Sequence, residues 1–358
     1  MTNQQIINAV NKLFTSNSHN YIFVYTPPKV GSTTIVSSLR ISLGKSYNII
    51  HIHDEVMLSV LTGINGITIN DIINYLSSIG ENVFVIDVYR TPIERKISEF
   101  FQKITQYHFN NSVENINTYN INRIFDRFNK LFPHLENGDH YVDKYNILEP
   151  IQFDFNKKYT VQQINGISYI KLRLCDSSLW ANILSTIFKT NIILISDYTT
   201  DKMEIGKMYT KFKNEYKIPF NFLEEIKNNK YLKIYYNEEE RNSYLSYWEK
   251  KVCDQIIPYS NNEFKFYINL CLENQYINDI EINHYIDNGC FCKYCTIKRR
   301  DIYFKAKNGE THFEKIIHQE VINEEKQKTS KKIIKKIMQR NKIINQRKQP
   351  KTFNIDFK

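Results

Sequence analysis

Tyr21-Ile22-Phe23-Val24-Tyr25-Thr26-Pro27-Pro28-Lys29-Val30-Gly31-Ser32-Thr33-Thr34 is the stretch that decides the fold. Its first five residues are a short apolar run rich in β-formers, Thr26-Pro27-Pro28 ends the run, and Ile35, Leu39 and Leu43 then recur at helical spacing. The stretch reads as strand, loop, helix. Its loop has the chemistry a phosphate needs: Gly31 lets successive backbone N–H groups turn inward, the following helix presents the positive end of its dipole, and the Ser and Thr hydroxyls add donors. Lys29 puts a cation at the mouth. In the common nucleotide P-loop, G-x-x-x-x-G-K-[ST], the lysine follows the glycine. Here it precedes it, which argues against an ordinary ATPase or kinase.

Downstream, Asn48-Ile49-Ile50-His51-Ile52-His53 reads as a second strand. Ile69 to Ile79 has helical spacing and stops at Gly80, and Val83-Phe84-Val85-Ile86 is a continuous apolar run suited to a buried parallel strand. The order β-α-β-α-β predicts a parallel sheet with helices on both faces. Farther on, Ile121, Ile124, Phe125, Phe128 and Leu131 form an apolar helical stripe, and the tract from Pro133 to Lys158 is irregular and aromatic. Ser168 to Leu174 alternates as a strand, and Ser177 or Ser178 is placed to cap a helix carrying Trp180, Ile183, Leu184 and Ile187. Ile192 to Ile195 is a last strand candidate, and a helix from Glu238 to Cys253 closes the core. Residues 1–260 thus read as one α/β domain and 261–358 as a helical, Cys-containing, Lys/Arg-rich extension.

The second informative stretch is Arg90-Thr91-Pro92-Ile93-Glu94-Arg95-Lys96-Ile97-Ser98. Thr91 is placed to cap a helix, Pro92 fits its first position and Glu94 completes a capping box. Arg90 then stands at the carboxyl end of the Val83–Ile86 strand, with the Ser98 hydroxyl about two helical turns on. Ligands of open α/β sheets bind at the carboxyl ends of strands, so Arg90 and the Lys29 loop should line one crevice. An Arg with a Ser can grip a second phosphate of the same nucleotide.

Together the two motifs resemble those of the sulfotransferases that use PAPS (3′-phosphoadenosine 5′-phosphosulfate). Pro28-Lys29-Val30-Gly31-Ser32-Thr33-Thr34 is similar to the family's 5′-phosphosulfate loop, and Arg90 through Ser98 to its 3′-phosphate motif, including the intervening Pro-x-Glu-Arg. Tyr236 to Arg241, with Tyr244 and Trp248, resembles more weakly the final helix of carbohydrate sulfotransferases. The resemblance spans residues 20 to about 255 and is dense only at the two motifs. It implies a P-loop-type parallel sheet flanked by helices and PAPS as donor. Lys29 would contact the bridging oxygen, Gly31 to Thr34 would hold the 5′ phosphate, and Arg90 and Ser98 would hold the 3′ phosphate. Val30 stands where cytosolic small-molecule enzymes have Ser or Thr, and no Trp follows Thr34, which leans toward the carbohydrate branch. That branch is usually membrane-anchored, and no anchor is evident in this sequence.

Sulfuryl transfer also needs a base for the acceptor proton. The candidates near the second strand's end are His51, His53, Asp54 and Glu55. His51 and His53 fall on the same side of that strand, and His53 lies nearer its carboxyl end. The His-x-His pattern resembles that of uronyl 2-O-sulfotransferases, whose second His is the base. His53 is the expected base, with His51 in support and Glu55 as substitute; no metal is required, because Lys29 and the loop amides supply positive potential. Tyr141, Tyr145 and Tyr159 could stack on a sugar acceptor or simply pack. Arg173 and Asp176 read as a structural ion pair.

At 358 residues, 42% hydrophobic and 24% charged, the chain has an ordinary globular composition. No apolar run approaches the roughly 20 residues needed to cross a bilayer, so a soluble, intracellular protein is expected. The formal charge of +10 is concentrated after Ile297, in Lys298, Arg299, Arg300, Lys305, Lys307, Lys331 to Lys336 and Arg340 to Lys351. This arm suits loose contact with a polyanion. Cys290, Cys292 and Cys295, with Cys271 or His284, are spaced too irregularly for a normal zinc knuckle and read as free thiols, zinc being the alternative. Two other functions compete with sulfotransfer: a nucleic-acid-associated protein carried by the basic arm on a degenerate nucleotide fold, and a P-loop kinase.

Overall fold

Strand β1 (Asn20–Tyr25) is buried at every position after Asn20, and β2 (Asn48–Ile52) is buried throughout, as expected of strands covered on both faces. In the computed structural model, which describes residues 1–14, 18–109, 111–137, 144, 152–195 and 204–271, they join β3 (Asn82–Tyr89), β4 (Thr160–Ile164) and β5 (Ile167–Arg173). The sheet order is β2-β1-β3-β5-β4. All pairings are parallel except β4 with β5, which closes one edge as an antiparallel hairpin. Val24 of β1 is in register with both His51 and Ile86, so the carboxyl ends of the three strands lie at the same edge of the sheet, β3 running on to Tyr89.

Helices cover both faces, as the alternating pattern predicts. On one face α1 (Asn3–Leu13), α3 (Glu55–Thr62) and α4 (Ile69–Ser78) bury Ala9, Leu58 and Ile72 against Phe23, Ile50 and Val85. On the other, α2 (Ser32–Leu43) and helix Trp180–Phe188 bury Ile35, Leu39 and Leu184 against Ile22, Val24 and Ile170. A third core gathers beyond α5 (Pro92–Gln102), where Phe128 meets Phe100, Phe212 and Tyr216 edge to face and Tyr216 in turn meets Trp248. Residues 261–271, assigned from sequence to the extension, form a helix whose Tyr267 packs into this third core. The basic arm after Ile297, Cys290, Cys292, Cys295 and His284 lie outside the described residues. No described helix is long and apolar enough to cross a membrane.

Several local expectations are corrected. Ile192 to Ile195 is not a strand: the N–H groups of Ile193 and Ile195 donate to the hydroxyls of Ser42 and Ser38 on α2, at 2.9 and 2.8 Å. The helix expected to reach Cys253 stops at Glu249, and Val252–Cys253 pairs instead with Ile218–Pro219. Neither Ser177 nor Ser178 caps the Trp180 helix; a 3-10 turn over Leu174–Leu179 leads into it. The β4–β5 hairpin went unread, although its turn residues Asn165 and Gly166 (φ 49° and 78°) are the pair a tight hairpin favours.

Among the described residues, the most deeply buried ion pair joins two neighbouring strands of the sheet. Lys171 Nζ on β5 lies 2.7 Å from Asp87 Oδ2 on β3, with both side chains almost wholly excluded from water. Removing one partner strands the other charge in the interior, a loss of about 3–5 kcal/mol. Lys171→Met should therefore destabilise the fold by that amount in urea unfolding, and adding Asp87→Asn should recover most of it. A Lys171→Met protein as stable as wild type would show that the pair is dispensable.

Candidate functional site

The loop after β1 begins latched to β2, the Thr26 N–H donating to the Ile52 carbonyl at 3.2 Å. It then turns through two left-handed residues, Lys29 (φ 69°) and Gly31 (φ 86°). Gly31 is required twice over, because a Cβ there would also lie 2.9 Å from Leu174 Cδ1 and from Trp180 Cη2. Lys29 holds the same backbone region with a side chain, at a cost of about 1–3 kcal/mol, and such strain is characteristic of binding loops. Gly31 is the N-cap of α2 and offers no side-chain acceptor to its first N–H groups, which leaves the helix start suited to an anion. Val30 points into the apolar core beneath the loop, Ser32 is buried, and Pro28, Thr33 and Thr34 are half-buried.

The two sequence motifs meet directly. Arg90 stands just past the end of β3, and its Nη1 donates to the Lys29 carbonyl at 2.7 Å. Burial, then the positive charges of Arg90 and Arg95, push the Lys29 ammonium down from its ordinary 10.5 to about 8. Ser98 is buried on α5, two turns beyond Arg90.

Glu94 does not complete a capping box, and Thr91 makes no side-chain cap. The Glu94 carboxylate instead accepts from the Tyr244 hydroxyl at 2.9 Å and the Trp248 indole N–H at 3.1 Å. Helix Glu238–Glu249 is thereby pinned to the start of α5. Arg173 fixes its other end, gripping Asp176 and Glu240 by two bonds each, from 2.6 to 3.1 Å, and donating to the Tyr235 carbonyl at 2.8 Å. This pair is structural, as the sequence suggested.

Across the loop, His53 Nδ1 lies 2.8 Å from the Thr26 carbonyl. A carbonyl only accepts, so Nδ1 donates to it, and in the neutral ring Nε2 then holds the lone pair a general base requires. His51 is buried beside it, the two rings meeting edge to face at 4.5 Å. Asp54 caps α3 by accepting from the Met57 N–H at 2.8 Å. Glu55 pairs with Lys144 Nζ at 3.2 Å, and burial, then the Glu55 charge, raise the pKa of Tyr25.

The structure thus brings Lys29, Gly31, Arg90, His51 and His53 to one end of the sheet. Tyr141 and Tyr145 lie outside the described residues, and Tyr159 packs against the α2 face. Arg95, noted from sequence only within the Pro-x-Glu-Arg match, and Lys96, given no role there, are both fully buried on α5. Lys96 donates to the carbonyls of Phe132 and Leu135, a structural use. Comparisons with protein-family models, curated proteins and solved structures found no match to this chain.

Proposed function

We propose that the chain is a sulfotransferase of the P-loop-like type that moves a sulfuryl group from PAPS to a hydroxyl, with a carbohydrate as acceptor by resemblance. The observation that carries this reading is the 2.7 Å bond from Arg90 to the Lys29 carbonyl, which joins the loop suited to a 5′ phosphate to the residue suited to a 3′ phosphate. The residues fit such a nucleotide: Lys29 is buried near the positive charges of Arg90 and Arg95, a cluster of cations suited to a bisphosphate.

When bound, PAPS supplies the sulfuryl group and a good leaving phosphate. The chain supplies position, charge and a base. Lys29 and the first N–H groups of α2 hold the 5′ phosphate and offset the negative charge that grows on it as its S–O bond breaks. His53 Nε2 takes the proton of the acceptor hydroxyl as that oxygen bonds to sulfur, and the Thr26 carbonyl stabilises the imidazolium through Nδ1–H. The products are a sulfate ester and 3′,5′-ADP, with the proton left on His53.

Calorimetry tests the donor half. Wild-type protein should bind 3′,5′-ADP at least tenfold more tightly than ATP without added metal, and Arg90→Ala and Ser98→Ala should each erase that preference. Equal binding of the two nucleotides by the wild type would overturn the reading. Magnesium-dependent ATP turnover would favour a kinase, and binding of nucleic acid without nucleotide preference would favour the nucleic-acid-associated alternative.

A further inference from the structure

Arg95 is wholly excluded from water on α5, yet its guanidinium is only partly matched. Nη1 donates to Glu99 Oε2 at 3.0 Å. Nη2 lies 3.6 Å from Glu136 Oε2, an ion pair too long for a hydrogen bond, and the Glu136 side chain is 59% exposed. Nε and Nη2, both buried, have no hydrogen-bond acceptor. A buried guanidinium normally finds acceptors for its donors, since each one left unmet carries a desolvation penalty.

The surroundings tell what is missing. Arg90 and Arg95 repel each other, and both push protons off Lys29, so three cations share one neighbourhood. The carboxylates acting on Arg95 are Glu99 and Glu136. Arg95 and Ser98 are three residues apart on α5 and so lie on adjoining positions of one face. Long side chains on a helix lean toward its N-terminus, which here is the Arg90 end. Arg95 thus lies in sequence between Arg90 and Ser98, on the α5 face it shares with Ser98 and close enough to Arg90 to feel its charge.

We infer that Arg95 is a third ligand of the second phosphate, meeting its unfilled Nε and Nη2 donors with that group's oxygens and so selecting a nucleoside 3′,5′-bisphosphate over a 5′-monophosphate. The inference rests on the donor reading above. Glu136, near the same guanidinium and open to water, acts as a placeholder that a phosphate outcompetes.

Titration calorimetry with 3′,5′-ADP and 5′-AMP decides it, using wild type, Arg95→Met, Arg95→Lys and Glu136→Gln, each checked for folding by circular dichroism. The expected result is a loss of about 10- to 100-fold in 3′,5′-ADP affinity for Arg95→Met, the worth of charge-assisted hydrogen bonds. Affinity for 5′-AMP should stay within about threefold, and Arg95→Lys should recover only part of the loss, because an ammonium cannot reproduce the planar fork. Glu136→Gln, at an exposed position, should tighten 3′,5′-ADP by about threefold or more at low salt. A folded Arg95→Met protein that binds 3′,5′-ADP within twofold of wild type overturns the inference and gives the unmet donors to ordered water. If Arg95→Met does not fold, Glu136→Gln decides, and unchanged affinity overturns it. Wild-type protein that binds neither nucleotide sinks the donor reading itself; wild-type binding matched by Arg95→Met sinks this inference alone.

Discussion

Lys29→Ala should lower sulfuryl transfer by at least about 10²- to 10³-fold while the protein stays folded. Removing one preorganised group from the position where charge develops costs that much in comparable sites, and Lys29 is the cation at the mouth of the loop. The fold should not suffer, because the folded state holds this ammonium at a disadvantage: burial and the two arginines bring its pKa from 10.5 to about 8. Below about pH 8 the charged form is destabilising, and between about 8 and 10.5 the folded chain has shed a proton that the unfolded chain keeps. This residue's contribution to stability therefore rises with pH across that window. Lys29→Ala should melt at or above the wild-type temperature at pH 7, with the advantage fading toward pH 10. Nucleotide binding runs the other way: wild-type affinity for 3′,5′-ADP should fall as pH rises above about 8, where Lys29 loses its charge, and the Lys29→Ala protein should lack that step. Single-turnover transfer from labelled PAPS, with thermal melts alongside, checks each part. Retained activity in the variant would remove Lys29 from the chemistry.

His53→Ala should reduce turnover by about 10²- to 10⁴-fold, the range for loss of a positioned general base, and leave 3′,5′-ADP affinity within about threefold. The split between turnover and donor affinity is the diagnostic part, since a merely structural His would disturb both. His53→Gln separates the ring's two jobs: its amide N–H can still donate toward the Thr26 carbonyl, but it has no basic nitrogen. It should be as slow as His53→Ala. Near-normal activity in either variant would move the base to His51 or Glu55. The structure makes Glu55 the weaker candidate, because Lys144 already pairs with its carboxylate.

What was legible in the sequence was whatever neighbouring residues decide. The β1 strand, the glycine turn, α2 and the β3 strand followed from apolar runs bounded by turn residues, and the parallel order followed from their alternation with helices. That order was enough to place Lys29 and Arg90 in one crevice. What depended on distant partners was not legible. Glu94 looked like a capping residue because its helix start is well written, but its partner Tyr244 is 150 positions away. Ile192 to Ile195 looked like a strand because it is apolar, yet its N–H groups are taken by serines on α2. Helix α3 escaped notice because the acids at its start drew a catalytic reading, when Asp54 is its N-cap. Arg95 was legible only as part of the Pro-x-Glu-Arg match, with no role of its own. A charged residue beside Glu94 and Lys96 suggests a solvated helix face, and only the packed fold shows that Arg95 and Lys96 are both buried.

The most direct measurement is transfer of radiolabel from PAPS to a panel of glycans by the wild-type protein, with 3′,5′-ADP release followed in the same reaction. The account predicts label in at least one glycan, one 3′,5′-ADP released per group transferred, and neither signal with Lys29→Ala. A folded wild-type protein that binds ATP as well as 3′,5′-ADP and leaves PAPS intact with every acceptor would contradict it.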